Sequence, residues 1–373
     1  MKATQPAIAI LASLVTVLGG CATQHAARPL PQGPQDLQVQ LTASIRALSV
    51  DIGERHMWKP ANLERAALWI EEQFQSSGLC VRRQEYRAGG DRYDCRSASV
   101  RNLVVEVPGT TRSNEILVIG AHYDSRVAMP KWNAQSQPLS EVKGTPGADD
   151  NASGVAALLV LARHFATHPQ ERTLRFVAFV NEEPPFFTKP AMGSYVYARE
   201  CRENGDDIKG MLSLECLGRW SRRPAEPCDH PDAGDPVKVT CPPKRNWFYS
   251  LFAPVFALPK QPDYVAFLSN WGSAGFAVKA ARIYQSKNSI AAHAAVVPVD
   301  FLCDRLSWSD DWAFWQFGYP ACSVTDTAYL RNEDYHELGD TLERLDIPQM
   351  AAVVRGLVPA LENLSNGPWD AHK

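Results

Sequence analysis

The chain predicts a three-layer α/β sandwich around a mostly parallel, mixed central sheet. Strand-like and helix-like patterns alternate along most of its length, as expected when helices cover both faces of a sheet. The composition, 45% hydrophobic and 21% charged over 373 residues, is that of an ordinary globular protein. No linker divides the chain after its first 35 residues, so residues 36–373 read as one domain.

The elements follow in order. Two amphipathic helices are expected near 36–50 and 60–77, the second opening at Pro60 and closing at Gly78. "RNLVVEVPG" and "EILVIGAHYDS" read as strands, "ASGVAALLVLARHFATH" as a buried helix, and "RTLRFVAFVNEE" as the next strand. "GSYVYARECRENG" is a helix, "KGMLSLECLG" and "PACSVTD" are strands, and "LDIPQMAAVVRGLVPALENLS" closes the chain as a helix. The stretch 220–245, rich in Pro, Arg, Cys and Asp, reads as a surface excursion.

The formal net charge of −3, with no long basic run, gives no ground for nucleic-acid binding. The first residues point elsewhere. Lys2 precedes a short apolar run, Ala7 to Leu18, too short to span a bilayer comfortably, so residues 1–20 read as a signal peptide. The run ends in Leu18-Gly19-Gly20-Cys21, which resembles a bacterial lipoprotein signal. That resemblance implies a lipidated Cys21 as first mature residue and a tether over 21–35. With Ala22 after the cysteine, it also implies sorting to an outer membrane, facing the periplasm of a Gram-negative cell. Eight further cysteines form an even set, which an oxidising compartment would allow to pair; Cys80/Cys95 and Cys228/Cys241 are the nearest in sequence.

Charged residues cluster where strands end. "LVIGAHYD" ends in His122 and Asp124, "FVNEE" in Glu182 and Glu183, and "MLSLE" in Glu215. Asp149 and Asp150 open the helix after the first of these strands. In open α/β sheets the crevice beyond the carboxyl ends of the strands is the ligand site. So many carboxylates at one edge call for a cation, and carboxylate mixed with imidazole suits zinc. His336, in the late loop "RNEDYHELGD", is the histidine that could complete a second metal site.

The order His-x-Asp, Asp-Asn before a helix, Asn-Glu-Glu, an acid closing a strand, then Tyr-His resembles the M28-type co-catalytic zinc aminopeptidases. "GADDNASG", "FVNEEPP" and "SDDWAFWQFGYPACSVTDTA" carry the likeness, which runs from about Leu103 to Asp346. It implies a zinc-exopeptidase fold and two zinc ions, with cobalt and manganese open as working metals. It implies His122, Asp150 and Glu215 around one ion, and Asp150, Glu183 and His336 around the other. Asp124 would accept a hydrogen bond from His122, Glu182 would act as general base, and Tyr335 would stabilise an oxyanion. The implied activity is removal of N-terminal amino acids from peptides by a water bridging two zinc ions.

Two features depart from the family pattern. Glu215 stands where Asp is common, with Cys216 as a neighbouring donor, and the segment between His122 and Asp150 is long. Asp310 and Asp311 lie near the expected site in sequence and read either as acids that support its ligands or as the start of a helix capped by Ser309 and Asp310, the second being preferred. Two other functions fit the chain less well: a glutaminyl-cyclase-like single-zinc enzyme, and a lipoprotein that binds zinc or peptide without turnover.

Overall fold

The structure is a computed structural model that describes residues 34–90, 95–127, 143–220, 264–297, 309–326, 332 and 334–369. The signal peptide, Cys21, most of the tether, residues 221–245 of the excursion, and Cys228, Cys241 and Cys303 lie outside the described residues.

The first helix, α1 (Pro34–Arg46), continues as a wider turn over Ala47–Ile52, and α2 (Pro60–Ser76) follows with proline in its first turn. Then come β1 (Arg82–Gly90), β2 (Cys95–Val107), β3 (Arg112–His122), a short wound segment Ala148–Ser153, and α3 (Gly154–Ala166). β4 (Arg172–Phe179), α4 (Gly193–Asn204) and β5 (Asp207–Glu215) complete the centre. The second half adds β6 (Tyr264–Asn270), α5 (Ala274–Lys287), β7 (Ala291–Val297), α6 (Asp311–Gln316), β8 (Ala321–Thr325) and α7 (Ile347–Asn366). No helix among the described residues is long and apolar enough to cross a membrane.

The strands form one mixed eight-stranded sheet in the order β1-β2-β4-β3-β5-β8-β6-β7. The central run β4-β3-β5-β8 is parallel, while β1, β2 and the β6–β8 pairing are antiparallel. The central strands are buried almost from end to end because helices cover both faces. One apolar layer packs α1, α2, α3, α5 and α7 against the sheet; the other packs α4 and α6. The expected three-layer sandwich is what the structure contains.

Helix α3 is buried from Gly154 to Ala162, which explains its nearly unbroken apolar sequence. Its first residue must be glycine. A Cβ on Gly154 would lie 2.3 Å from Asn151 Oδ1 and 2.4 Å from the Leu214 carbonyl. That close approach brings the start of α3 against the end of β5. Parallel register does the rest: His122 pairs with Phe179, Gly120 with Ser213, and Glu215 with Thr325. The ends of β3, β4, β5 and β8 therefore reach the same edge of the sheet.

Candidate metal centre

The acids and the two histidines meet at that edge. His122 (1% exposed), Asp150 (2%) and Glu215 (2%) form one group whose donor atoms lie within 4.8 Å of one another. Asp150, Glu183 and His336 form a second group of the same tightness. His122 Nε2 lies 3.3 Å from Asp150 Oδ1 and 3.3 Å from Glu215 Oε2. His336 Nε2 lies 3.1 Å from Asp150 Oδ2 and 3.7 Å from Glu183 Oε1. The two oxygens of Asp150 are thus divided, one toward each group.

Local structure explains how Asp150 gets there. Gly147, at φ +61°, takes the left-handed turn that any side chain would strain, and a Cβ there would lie 2.5 Å from the Asp150 carbonyl. The next peptides are held from outside the segment. The Asp340 carboxylate accepts from the Asp149 N–H at 2.8 Å and from the Asp150 N–H at 3.1 Å. Asn151 then ties Asp150 to β5. Its amide donates to the Leu214 carbonyl and to Glu215 Oε2, and its oxygen accepts from the Gly154 and Cys216 N–H groups. The Asp150–Asn151 peptide is cis.

Asp149 turns away from both groups. Its Oδ1 accepts from the Gly218 N–H at 2.8 Å, fastening the wound segment to the chain beyond β5. Asp124 reaches further than orienting His122. Its carboxylate accepts from the N–H groups of Glu182 and Glu183 at 3.1 and 3.0 Å, while the His122 Nδ1 contacts are 3.5 Å to Oδ1 and 3.2 Å to the Asp124 carbonyl. Glu182 Oε2 sits 3.8 Å from His122 Nε2. Tyr335 stacks on His336 with centroids 3.8 Å apart.

The cap expected from Ser309 and Asp310 is not formed. Ser309 donates to Glu215 Oε2 at 2.7 Å instead, and the side chain of Asp310 makes no capping bond. Both Asp310 oxygens are buried without a hydrogen bond. Cys216 is no alternative donor to the first group. A positive φ ends β5 there, and its thiol donates to Glu215 Oε1 at 3.1 Å. Cys201, Cys216 and Cys322 are buried thiols.

Two residues that build this centre went unread in the sequence. Asp340 was within reach, as an acid four residues after His336. Arg55 was not. It is completely buried, and its guanidinium donates to the carbonyls of Tyr123, Leu48, Gly53, Pro146 and Gly147. It clamps the His122–Asp124 strand end to the turn that delivers Asp150. Burial lowers its pKa to about 10, so it remains a cation at neutral pH, facing the charges of Asp340, Asp124 and Asp150.

The electrostatics describe a site short of positive charge. Burial drives Glu183 up to about 7 and Glu182 well above the ordinary carboxylate range. Burial alone would depress His122, but Glu215 and Glu182 hold its pKa well above the usual imidazole value. Burial would raise Asp150 too, yet the flanking His122 and His336 keep it below its ordinary value. Asp150 Oδ2 and Glu183 Oε1 are buried without a hydrogen bond. Orphaned buried oxygens, imidazole nitrogens within reach and excess negative charge fit a divalent cation with nitrogen and oxygen ligands, and zinc in particular.

Fold and donor set together define an α/β protein of the metallohydrolase class. The profile of peptidase family M28 matches residues 102–241. The uncharacterized protein YfbL of Escherichia coli (strain K12) is 33% identical over 337 residues, 90% of this chain and 91% of that protein. The chain belongs to peptidase family M28. A probable zinc metalloprotease of Phaeosphaeria nodorum is 28% identical over 207 residues, 48% of this chain but only 39% of its own length. Two solved structures share the fold at 15% identity: an aminopeptidase from Aneurinibacillus sp. strain AM-1 (TM-score 0.63, covering 90% of this chain and 96% of that one) and a Bacteroides thetaiotaomicron glutaminyl cyclase (TM-score 0.59, covering 90% and 99%).

Proposed function

We propose that the protein is an aminopeptidase that works with two zinc ions. The observation that carries this reading is the division of Asp150, with Oδ1 toward His122 and Glu215 and Oδ2 toward Glu183 and His336. One carboxylate shared by two complete donor groups is more than a single-ion site requires. His122, Asp150 and Glu215 would hold one ion, and Asp150, Glu183 and His336 the other. Zinc, when bound, supplies Lewis acidity that polarises a carbonyl oxygen and acidifies a water.

The chain's own groups do the rest. Glu182, 3.8 Å from His122 and fixed at its backbone by Asp124, takes the proton from the attacking water and returns it to the departing amine. Burial raises its proton affinity toward that of the groups it serves. Tyr335 keeps its phenolic proton, because burial and the nearby charges of Asp150, Glu215 and Glu183 hold its pKa well above the ordinary value, and it is assigned to developing negative charge. The substrates are peptides with a free N-terminus. At the amino terminus, the Leu18-Gly19-Gly20-Cys21 sequence supports a lipid anchor on Cys21 and attachment to the outer membrane.

The test combines metal analysis with a panel of aminoacyl p-nitroanilides and an N-terminal glutaminyl peptide. Two zinc ions per chain with release of free amino acid supports the reading. One zinc with pyroglutamate as product would establish the cyclase instead. Zinc without turnover of any substrate would make the protein a binder.

A further inference from the structure

Among the described residues, Arg126 is the one arginine or lysine that pairs with a member of either donor group. Its Nη1 lies 3.4 Å from Glu183 Oε2. Glu183 is divided as Asp150 is, because its other oxygen, Oε1, faces His336 and has no hydrogen bond. The guanidinium therefore occupies the oxygen that the second donor group leaves over. The contact is long for a charge-assisted bond, normally about 2.7–2.9 Å, and among the described residues it engages one of the fork's five N–H groups.

Position and rigidity add to this. The Arg126 side chain is 22% exposed against 5% for Glu183, so it lies outward of the carboxylate, on the solvent side with the 31% exposed His336. Its backbone is fixed. The Thr145 N–H donates to the Arg126 carbonyl at 2.8 Å, Val127 bridges to Gly144, and the preceding Ser125 bonds to Arg55 and Thr145. A planar cation on an anchored backbone beside the donor groups, with N–H groups left unengaged among the described residues, matches a carboxylate in both charge and shape.

We propose that Arg126 sets substrate specificity by binding a substrate carboxylate beside the scissile bond. The inference rests on the aminopeptidase reading. The carboxylate has two sources, an acidic side chain on the N-terminal residue or the chain end of a dipeptide.

The experiment uses the zinc-loaded full chain, with zinc content measured for every variant. It compares kcat/KM for glutamyl- and glutaminyl-p-nitroanilide, for lysyl-p-nitroanilide, and for Leu-Gly and its amide. The wild type is expected to favour the carboxylate member of one pair by about 10-fold or more, the scale of a hydrogen bond to a charged group. Preference in the first pair assigns the side chain, and preference in the second assigns the chain end. Arg126→Gln should collapse that ratio, Arg126→Lys should restore part of it, and Arg126→Glu should move preference toward the lysyl substrate with zinc retained. A merely structural role predicts no reversal. The inference is overturned if the wild type shows no carboxylate preference in either pair, or if the variants lose all substrates in proportion or lose zinc. If no substrate releases an amino acid, the aminopeptidase reading falls and this inference with it; release without carboxylate preference overturns this inference alone.

Discussion

At the amino-terminal edge of the sheet Arg172 is 1% exposed, and at the carboxyl edge Asp150 is 2% exposed. Both are charged groups taken out of water, yet their surroundings are opposite. Arg172 bonds to Glu115 at 2.6 Å and to the carbonyls of Leu364, Ser365 and Gly367, closing the end of α7, while Trp369 lies 5.4 Å from its guanidinium carbon. Arg112 adds bonds to Glu171, Asn366 and Gly367 beside it. At the carboxyl edge the acids outnumber the cations, and Asp150 Oδ2, Glu183 Oε1 and both Asp310 oxygens have no hydrogen bond. The buried cation there, Arg55, makes its bonds to carbonyls and leaves the carboxylates open. One edge pairs its buried charges, with only the Arg112 Nε left without a bond there among the described residues, and serves stability. The other is left unsatisfied in a way that a divalent cation corrects.

The comparison breaks most sharply at Glu182. Glu182→Gln should keep its zinc, because the residue belongs to neither donor group, and should lower kcat by about 10²–10⁴-fold, the worth of general-base catalysis. A single-turnover assay beside metal analysis reads both, and near wild-type turnover would remove Glu182 as the base.

Arg172→Met tests the opposite edge. It leaves the Leu364 and Ser365 carbonyls and a partly buried Glu115 without their arginine partner, so unfolding free energy should fall by about 3 kcal/mol. Zinc content and kcat/KM of the folded fraction should stay at wild-type values. A loss of zinc would mean that the two edges are not independent.

Chelation sharpens the electrostatic half of the contrast. In the metal-free protein burial holds Glu183 at about 7, above its ordinary 4.5. A carboxyl with a raised folded pKa favours the folded state least at high pH, with the penalty growing from pH 4.5 to about 7 and constant above. Ions bind best once that proton has left. Removing metal should therefore lower Tm more at pH 8 than at pH 5.5, as differential scanning fluorimetry would show. An equal shift at both values would contradict the excess of buried acid.

The smallest expected effect is a gain. Burial pushes Asp311 up to about 8 from its ordinary 3.8, so folding takes up a proton at a cost that rises from about pH 4 to about pH 8. Asp311→Asn removes that cost and should raise Tm at pH 8 by a few degrees, since about 1 kcal/mol moves Tm by about 2–4 °C in domains of about 150–250 residues. The gain should vanish near pH 4.

Much of the fold was legible because the central strands and α3 are buried on all sides, which writes long apolar runs into the sequence. β1 was not. Its residues, "RRQEYRAGG", are largely polar, since an edge strand faces solvent and owes its pairing to β2. The region of β6, α5 and β7 carries a weaker signal; α5 is buried along one face only, and β6 pairs antiparallel with β8 across a long sequence gap. In the site, residues at strand ends were readable because polar groups interrupt apolar runs there. Ser309 has the local pattern of a cap, but Glu215 and Ser213 on the neighbouring strand engage its hydroxyl instead.

The sequence by itself determined the three-layer class, the strands that reach the functional edge, and the chemical identity of the groups carried there. These follow from periodicity and from the order of residues, both local properties of the chain. Only the tertiary structure decided how those groups are shared. The division of Asp150 between His122 and His336 depends on Asp340 holding its backbone, 190 positions away in sequence. The clamp by Arg55 and the place of Arg126 outside Glu183 depend likewise on chain returns that no local pattern encodes. A hydrogen bond or a buried charge acts through distance in space, and sequence separation carries no measure of that distance.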